Sequence, residues 1–391
     1  MSLIVPDFES YSFEHRCCHA KCIGQVVAVT FTDGETFHAP LIWLREFSPD
    51  ESTHHPVTRE QTILLNQLPP DLGVDTIGID SDGFLTIKWM PENLSSRYHP
   101  GWLYTHMPDS EESLLELPDH KLWDSSLHLD RLAGDRMLNG DEEVFEQWLK
   151  NIHVDGVGLL TQLPLDEDLV PKIPMMIGPV RASNFGNIFT VEVLANADSN
   201  AYTSIYLSPH TDLSTREYPP GLQFLFSLAN DAQGGETILV DGFHLAEVLK
   251  SESAEFYEVL STMPVPFVNK AEDSEYRYRA PVINLNREGQ LDTIRFTYWL
   301  RAPMKASNED LATFYAAFIR FHELAEEGEN QFRFKLQPGE MIGFDNRRVL
   351  HGRTAFNLET GRRKLMGCYG EREELLSRLR LLARSRRARQ T

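Results

Sequence analysis

The stretch Ser208-Pro209-His210-Thr211-Asp212, answered far along the chain by Val349-Leu350-His351-Gly352-Arg353, decides how this sequence folds. Alternate residues of a strand point to the same side, so His210 and Asp212 can reach one ion together. His351 then comes from a different strand of the same domain. Two imidazoles and one carboxylate occupy one face of an octahedral metal and leave three positions open, a ligand set suited to non-haem Fe(II). Taken alone, an H-x-D also fits a satisfied structural histidine beside a surface aspartate. The flanking sequence separates the two readings.

Asn200-Ala201-Tyr202-Thr203 stands before the first motif. After it come Pro219-Pro220-Gly221-Leu222-Gln223-Phe224, Gly234-Gly235-Glu236-Thr237 and Val240-Asp241-Gly242-Phe243. Around the second lie Pro338-Gly339-Glu340, Phe344-Asp345-Asn346-Arg347-Arg348, Gly361-Arg362-Arg363, Gly367-Cys368-Tyr369 and Glu374-Leu375-Leu376-Ser377-Arg378. In these motifs the chain resembles the γ-butyrobetaine dioxygenase (γ-butyrobetaine hydroxylase) family, 2-oxoglutarate-dependent enzymes of the taurine dioxygenase-like superfamily. The resemblance runs from about Val26 to about Leu382 and is strongest over 183–241 and 339–377. It implies a mainly β fold with buttressing helices: a catalytic double-stranded β-helix, or jelly roll, behind a small N-terminal β-rich domain.

Composition sets outer bounds. A chain of 391 residues is long enough for two domains. Its 41% hydrophobic content suits ordinary globular cores, and its net charge of −21 argues against a nucleic-acid partner. No run of 18 apolar residues predicts a membrane span. The start, Met1-Ser2-Leu3-Ile4-Val5-Pro6-Asp7, lacks a basic n-region and a long apolar core, so no signal peptide is expected. Four cysteines make no disulfide framework, which points to a reducing cytoplasm. The oligomeric state stays open, with a homodimer among the options.

The boundary is expected near residue 107, giving an N-terminal domain over 1–107 and a catalytic domain over 108–391. Ile23 to Phe31 reads as a strand followed by an Asp33-Gly34 turn. Ile77-Gly78-Ile79 and Leu85-Thr86-Ile87-Lys88-Trp89 read as a pair joined by Asp80-Ser81-Asp82-Gly83. Pro108 to Asp124 has linker composition. Glu142 to Ile152, Leu311 to Leu324 and Leu375 to Leu382 carry apolar residues at helical spacing. The basic tail Arg384 to Arg389 reads as a solvated, frayed end.

The resemblance also implies roles. His210, Asp212 and His351 would hold Fe(II). Arg363 would receive the distal carboxylate of 2-oxoglutarate, with Thr237 beside it; Arg362 is the rival if the register slips by one. O₂ would be the second co-substrate. Phe185, Phe189, Tyr202 and Tyr369 stand at positions of an aromatic cage for a quaternary ammonium, a cation recognised through ring faces. Each could equally be a plain core aromatic.

Two departures from the family stand out. Its small domain often carries zinc, on cysteines that follow Trp-Leu-Arg and a histidine further on. Here Trp43-Leu44-Arg45 is followed by Glu46-Phe47-Ser48-Pro49-Asp50-Glu51-Ser52-Thr53, and the histidine position falls near Leu94. Zinc is therefore not expected. The cluster His15, Cys17, Cys18, His19 and Cys22 has ligand types but no paired second half, so reduced cysteines at a mobile terminus are the default reading. The second departure is Tyr298, which occupies the position of an asparagine that helps bind the substrate's acid end.

The expected activity is hydroxylation of an unactivated C–H of a quaternary ammonium acid. γ-Butyrobetaine, giving carnitine, or a close analogue comes first. A trimethylammonio phosphonate or another amine or amino acid is the alternative. A cupin-like binding protein that has lost catalysis is the reading from another class.

Overall fold

The computed structural model describes residues 4–108, 110, 117–193, 203–270 and 274–390. Two compact units emerge, one of residues 1–116 with 380–391 and one of residues 117–379.

The smaller unit is built on two three-stranded antiparallel sheets. The first joins Cys17–Ile23, Val26–Phe31 and Thr36–Pro40, and the second Gly73–Ile79, Leu85–Met90 and Ser95–Tyr98. Alternation drives the packing. Leu85, Ile87 and Trp89 enter the core with Val27, Val29, Phe31 and Trp102, while Thr86 and Lys88 face away. The run expected as one strand over 23–31 is broken at Gly24, whose φ of +60° makes a hairpin. The cysteines do not sit at a mobile terminus. They lie in the paired strand Cys17–Ile23, whose pleat sends Cys17 into the core and Cys18 outward to the carbonyls of Thr30 and Phe31. His15 stacks on Tyr104 and pairs with Asp33.

The segment after Trp43-Leu44-Arg45 forms a polar clasp. Buried Arg45 forks onto Glu92 at 2.8 and 2.9 Å and donates to Thr53 Oγ1 at 2.6 Å. Thr53 donates to Asp50 Oδ1 at 3.0 Å, and Ser96 to Asp50 Oδ2 at 3.2 Å. Trp89 Nε1 donates to Ser96 Oγ at 2.9 Å, and Ser48 bonds both Asp50 and Ser96.

The basic tail is also ordered rather than frayed. The helix Arg372–Gln390 runs through it, and Arg387 Nη2 reaches Glu9 Oε2 at 2.7 Å.

The larger unit has a six-stranded sheet in the order Arg131–Ala133, Val157–Thr161, Met341–Asp345, Leu222–Asn230, Arg363–Gly370, Phe189–Val191. A four-stranded sheet runs Leu207–His210, Val349–Arg353, Thr237–Asp241, Phe332–Phe334. One apolar cluster draws Leu239 and Val349 from the smaller sheet and Val157, Leu159, Ile342, Phe344 and Leu365 from the larger, so the sheets share a core face to face. The helix Asn308–Glu326, capped by Ser307, lays Phe314, Ala317, Phe318, Phe321 and Leu324 on a second core with the helices Gly242–Glu252 and Ala254–Thr262. From Leu117 on, the stretch expected as a linker is already part of this unit, with Lys121 N–H on the Val154 carbonyl and Trp123 buried.

Two features fix the strand that carries His351. Arg348 and Asp241, both wholly buried, pair at 2.8 and 3.0 Å at its start. Gly352 lets the neighbouring strand approach closely, since a Cβ there would stand 2.6 Å from the Leu207 carbonyl oxygen.

Candidate metal centre

The register sets His210 directly opposite His351, on adjacent antiparallel strands. Their ring centroids lie 4.4 Å apart. Asp212 Oδ1 stands 3.2 Å from His210 Nε2 and 3.7 Å from His351 Nε2. One ligand atom from each of the three falls within 4.8 Å of the others, and among the described residues this is the one such group of three.

Each side chain is held from behind. His210 Nδ1 lies 2.9 Å from the Ser208 carbonyl, which can only accept, so Nδ1 carries the proton and the Nε2 lone pair faces inward. Asn346, wholly buried, fixes the main chain of Asp212. Its Oδ1 accepts from the Asp212 N–H at 2.8 Å, and its Nδ2 donates to the carbonyls of Asp212 and Pro220, each at 3.1 Å. Tyr369 Oη donates to Asp212 Oδ2 at 2.7 Å.

Burial pushes the Asp212 carboxyl up, but the His351 and His210 imidazoles and the Tyr369 hydroxyl together hold it well below the usual carboxylate range. Burial, with His210 next to it, pushes the His351 imidazole down to about 3. At neutral pH the centre therefore presents a neutral imidazole in His351 and a carboxylate in Asp212, forms that bind a divalent metal. Donor chemistry and spacing both fit Fe(II).

Arg363 opens the strand Arg363–Gly370 and is 5% exposed. Among the described residues it makes no ion pair, and its Nε has no hydrogen-bond partner. Burial, then the charge of Arg353, pushes its guanidinium down to about 9. A buried cation in this state is matched to an incoming carboxylate. Arg362 is exposed and bound to Glu192 at 2.9 Å. Thr237 is buried at the start of its strand, two residues after Gly235, where a Cβ would stand 3.0 Å from Arg363 Cδ.

Of the residues expected to form a cage, Phe189 and Tyr369 lie on paired strands with ring centroids 4.9 Å apart, Tyr369 beside Asp212. Phe185 is half-buried in a turn where its N–H bonds Ser183 Oγ. Tyr202 lies outside the described residues. Tyr298 is 43% exposed and stacks on His322 of the long helix at 5.4 Å. Its neighbour Trp299 is the residue against His210, with its ring 4.8 Å from that imidazole. Sequence reasoning passed over Trp299 and also Asn346. The first is one step from a flagged position and has no motif of its own; the second sits inside a quoted motif, but its role depends on a contact with Asp212 that spacing does not show.

A buried His-Asp-His face in a two-sheet core, with a buried arginine that makes no ion pair among the described residues, defines a non-haem iron, 2-oxoglutarate-dependent dioxygenase. Residues 126–369 match the family described as Taurine catabolism dioxygenase TauD, TfdA family, and residues 19–104 match Gamma-butyrobetaine hydroxylase-like, N-terminal. The chain belongs to the γ-butyrobetaine dioxygenase family within that group. It is 38% identical to the gamma-butyrobetaine dioxygenase of Pseudomonas sp. (strain AK-1), over 97% of this chain and 100% of that protein. It is 28% identical to the trimethyllysine dioxygenase of Meyerozyma guilliermondii (94% and 96% covered) and to the gamma-butyrobetaine dioxygenase of Homo sapiens (92% and 95%). Among solved structures, an asparagine oxygenase in complex with Fe(II), 3-hydroxyasparagine and succinate aligns at a TM-score of 0.47 and 18% identity, over 60% of this chain and 79% of that one.

Proposed function

We propose that this protein hydroxylates γ-butyrobetaine or a close quaternary ammonium acid, the carnitine-forming step or one chemically like it. The carrying observation is the division of labour at Asp212: Oδ1 is turned to both imidazoles and Oδ2 is held by Tyr369, whose ring pairs with Phe189. The Tyr369 hydroxyl thus touches the carboxylate that would bind the metal, and its ring, paired with Phe189, would present an aromatic face to a cation. The closeness to gamma-butyrobetaine dioxygenases supports the same reading.

When bound, iron with 2-oxoglutarate and O₂ would supply the oxidation, with succinate as the co-product. The residues of this chain do the rest. His210, Asp212 and His351 hold the metal and leave one face free. Arg363 takes the distal carboxylate, with the Thr237 hydroxyl beside it. Phe185, Phe189, Tyr202 and Tyr369 wall the ammonium end, with Trp299 on the His210 side. Tyr298, at the position where the family resembled has an asparagine, would meet the acid end. A trimethylammonio phosphonate is the second reading, favoured because a phenol stands there in place of an amide. The two-sheet sandwich supports a double-stranded β-helix as the catalytic fold. A cytoplasmic location completes the proposal, with a homodimer among the options for its oligomeric state. Among the described residues no helix is long and apolar enough to cross a membrane.

The test is succinate release with Fe(II) across betaines, phosphonates, trimethyllysine and ordinary amino acids, with His210→Ala as the control. Release stimulated by a quaternary ammonium acid and absent from the variant is the expected result. Stimulation only by neutral or anionic compounds would refute the substrate class. Normal turnover by the variant would refute the triad.

A further inference from the structure

The strand that carries His351 also carries a second buried arginine. Arg353 lies two residues on, so both side chains leave the same face of the strand. It is 4% exposed, and burial pushes its guanidinium down to about 10. Its Nη2 donates to the carbonyls of Thr203 and Ile205, at 2.7 and 3.1 Å, on the segment leading into the His210 strand. In register it faces Thr237 on one side and Leu207 on the other. Its guanidinium carbon lies 5.0 Å from the Phe356 ring centroid, and that of Arg363 lies 5.5 Å from the same centroid. The two charged carbons are therefore no farther apart than about 10.5 Å.

Two guanidiniums against one ring, both withdrawn from water, repel each other until an anion arrives. Arg363 takes the fork contact. Arg353 is already engaged with two carbonyls, so it acts across a gap by its charge. We propose that Arg353 is a positioning residue for the co-substrate, a second cation that makes the Arg363 site selective for a keto acid bearing a distal carboxylate. This rests on the reading of Arg363 given above. A unit charge about 10 Å away, at an effective dielectric of ~20, changes a carboxylate's affinity by roughly tenfold.

The experiment is calorimetric titration of Fe(II)-loaded protein, without O₂, using 2-oxoglutarate and, separately, 2-oxobutyrate, which lacks the distal carboxylate. Arg353→Met, with the charge gone and the stem retained, should weaken 2-oxoglutarate roughly tenfold and leave 2-oxobutyrate unmoved. Arg353→Lys, with the charge retained, should recover most of the loss. If the methionine variant does not fold, Arg353→Gln, which keeps a donor for the carbonyls, carries the same comparison. Equal weakening of both acids, with no rescue by lysine, would reduce Arg353 to a clasp for residues 203–205 and overturn the proposal. Unchanged 2-oxoglutarate affinity in every neutral variant would overturn it too. Wild-type protein that binds 2-oxobutyrate as tightly as 2-oxoglutarate would overturn the role of Arg363, and the present proposal with it.

Discussion

Tyr369 Oη donates to Asp212 Oδ2 at 2.7 Å while Oδ1 of the same carboxylate faces both imidazoles. The phenol thus orients the carboxylate and removes one of its oxygens from competition for the metal. Such supporting bonds are typically worth ten- to a hundredfold in metal affinity or activity. Tyr369→Phe keeps the ring and should lower Fe(II) affinity by about tenfold. Tyr369→Leu should lose the ring face as well and further weaken a trimethylammonium substrate. Metal titrations followed by substrate titrations separate the two effects. Equal Fe(II) affinity in Tyr369→Phe and wild type would show that the hydroxyl does not orient Asp212.

Asn346→Ala should be costly without touching any ligand atom. It strips hydrogen bonds from the Asp212 N–H and from the carbonyls of Asp212 and Pro220, and each buried group left unpaired costs about 1–3 kcal/mol. We expect a loss of about 3 kcal/mol in denaturant unfolding, together with weaker Fe(II) binding. A stable variant with normal metal affinity would mean that Asp212 is placed by something else.

Arg363→Ala should weaken 2-oxoglutarate and spare the prime substrate. Truncating one partner of a buried charge pair costs about 2–5 kcal/mol. Arg362→Ala is the comparison, because that side chain is exposed and bonded to Glu192. Apparent constants for the two substrates, measured separately, check the split. The assignment fails if the Arg362 variant is the one that loses 2-oxoglutarate.

The meeting of His210, Asp212 and His351 was legible because strand alternation and ligand chemistry are both written in H-x-D, and the distal histidine sits in a dense motif. Their support was less so. Asn346 reaches Asp212 from far along the chain, and only the sheet brings them together. Tyr298 and Trp299 are adjacent, yet the fold turns one to His322 and the other to His210, a choice made by packing and invisible to spacing. The mobile terminus expected for the cysteines was wrong for a related reason: composition does not show that Cys17–Ile23 pairs as a strand, whose pleat sends Cys17 and Cys18 to opposite faces. The tail Arg384 to Arg389 reads as solvated by composition, but Glu9 lies within reach of Arg387.

The polar clasp of the smaller unit should behave as a metal-free cross-link. Asp50 accepts from Thr53 and Ser96, and Arg45 ties the same segment to Glu92. Asp50→Ala leaves several of these donors unsatisfied and should cost about 2–4 kcal/mol. Thermal unfolding of the wild type should be indifferent to a strong zinc chelator. A chelator-induced drop comparable to that of Asp50→Ala would mean that a metal, not this network, holds the segment.

His99 gives the smaller unit an acid sensitivity whose sign can be worked out. Its ring is buried, caps the helix Pro100–Thr105 by accepting the Gly101 N–H at 3.1 Å, and packs on Phe13 at 4.3 Å. Burial, then Arg97, pushes its pKa down to about 4 from an ordinary 6.5. The unfolded chain therefore binds a proton below about 6.5 that the folded protein refuses until about 4. Stability is full above pH 6.5 and falls as the pH drops through that window, by about 1.4 kcal/mol at pH 5.5 for this one group. His99→Asn keeps an acceptor for the cap and has nothing to titrate. It should be less stable than wild type at pH 7.5, for want of the ring. Its further loss between pH 7.5 and 5.5 should be smaller than that of wild type by about 1 kcal/mol. Denaturant midpoints at the two values provide the comparison, and parallel losses in the two proteins would show that His99 is not the group that refuses the proton.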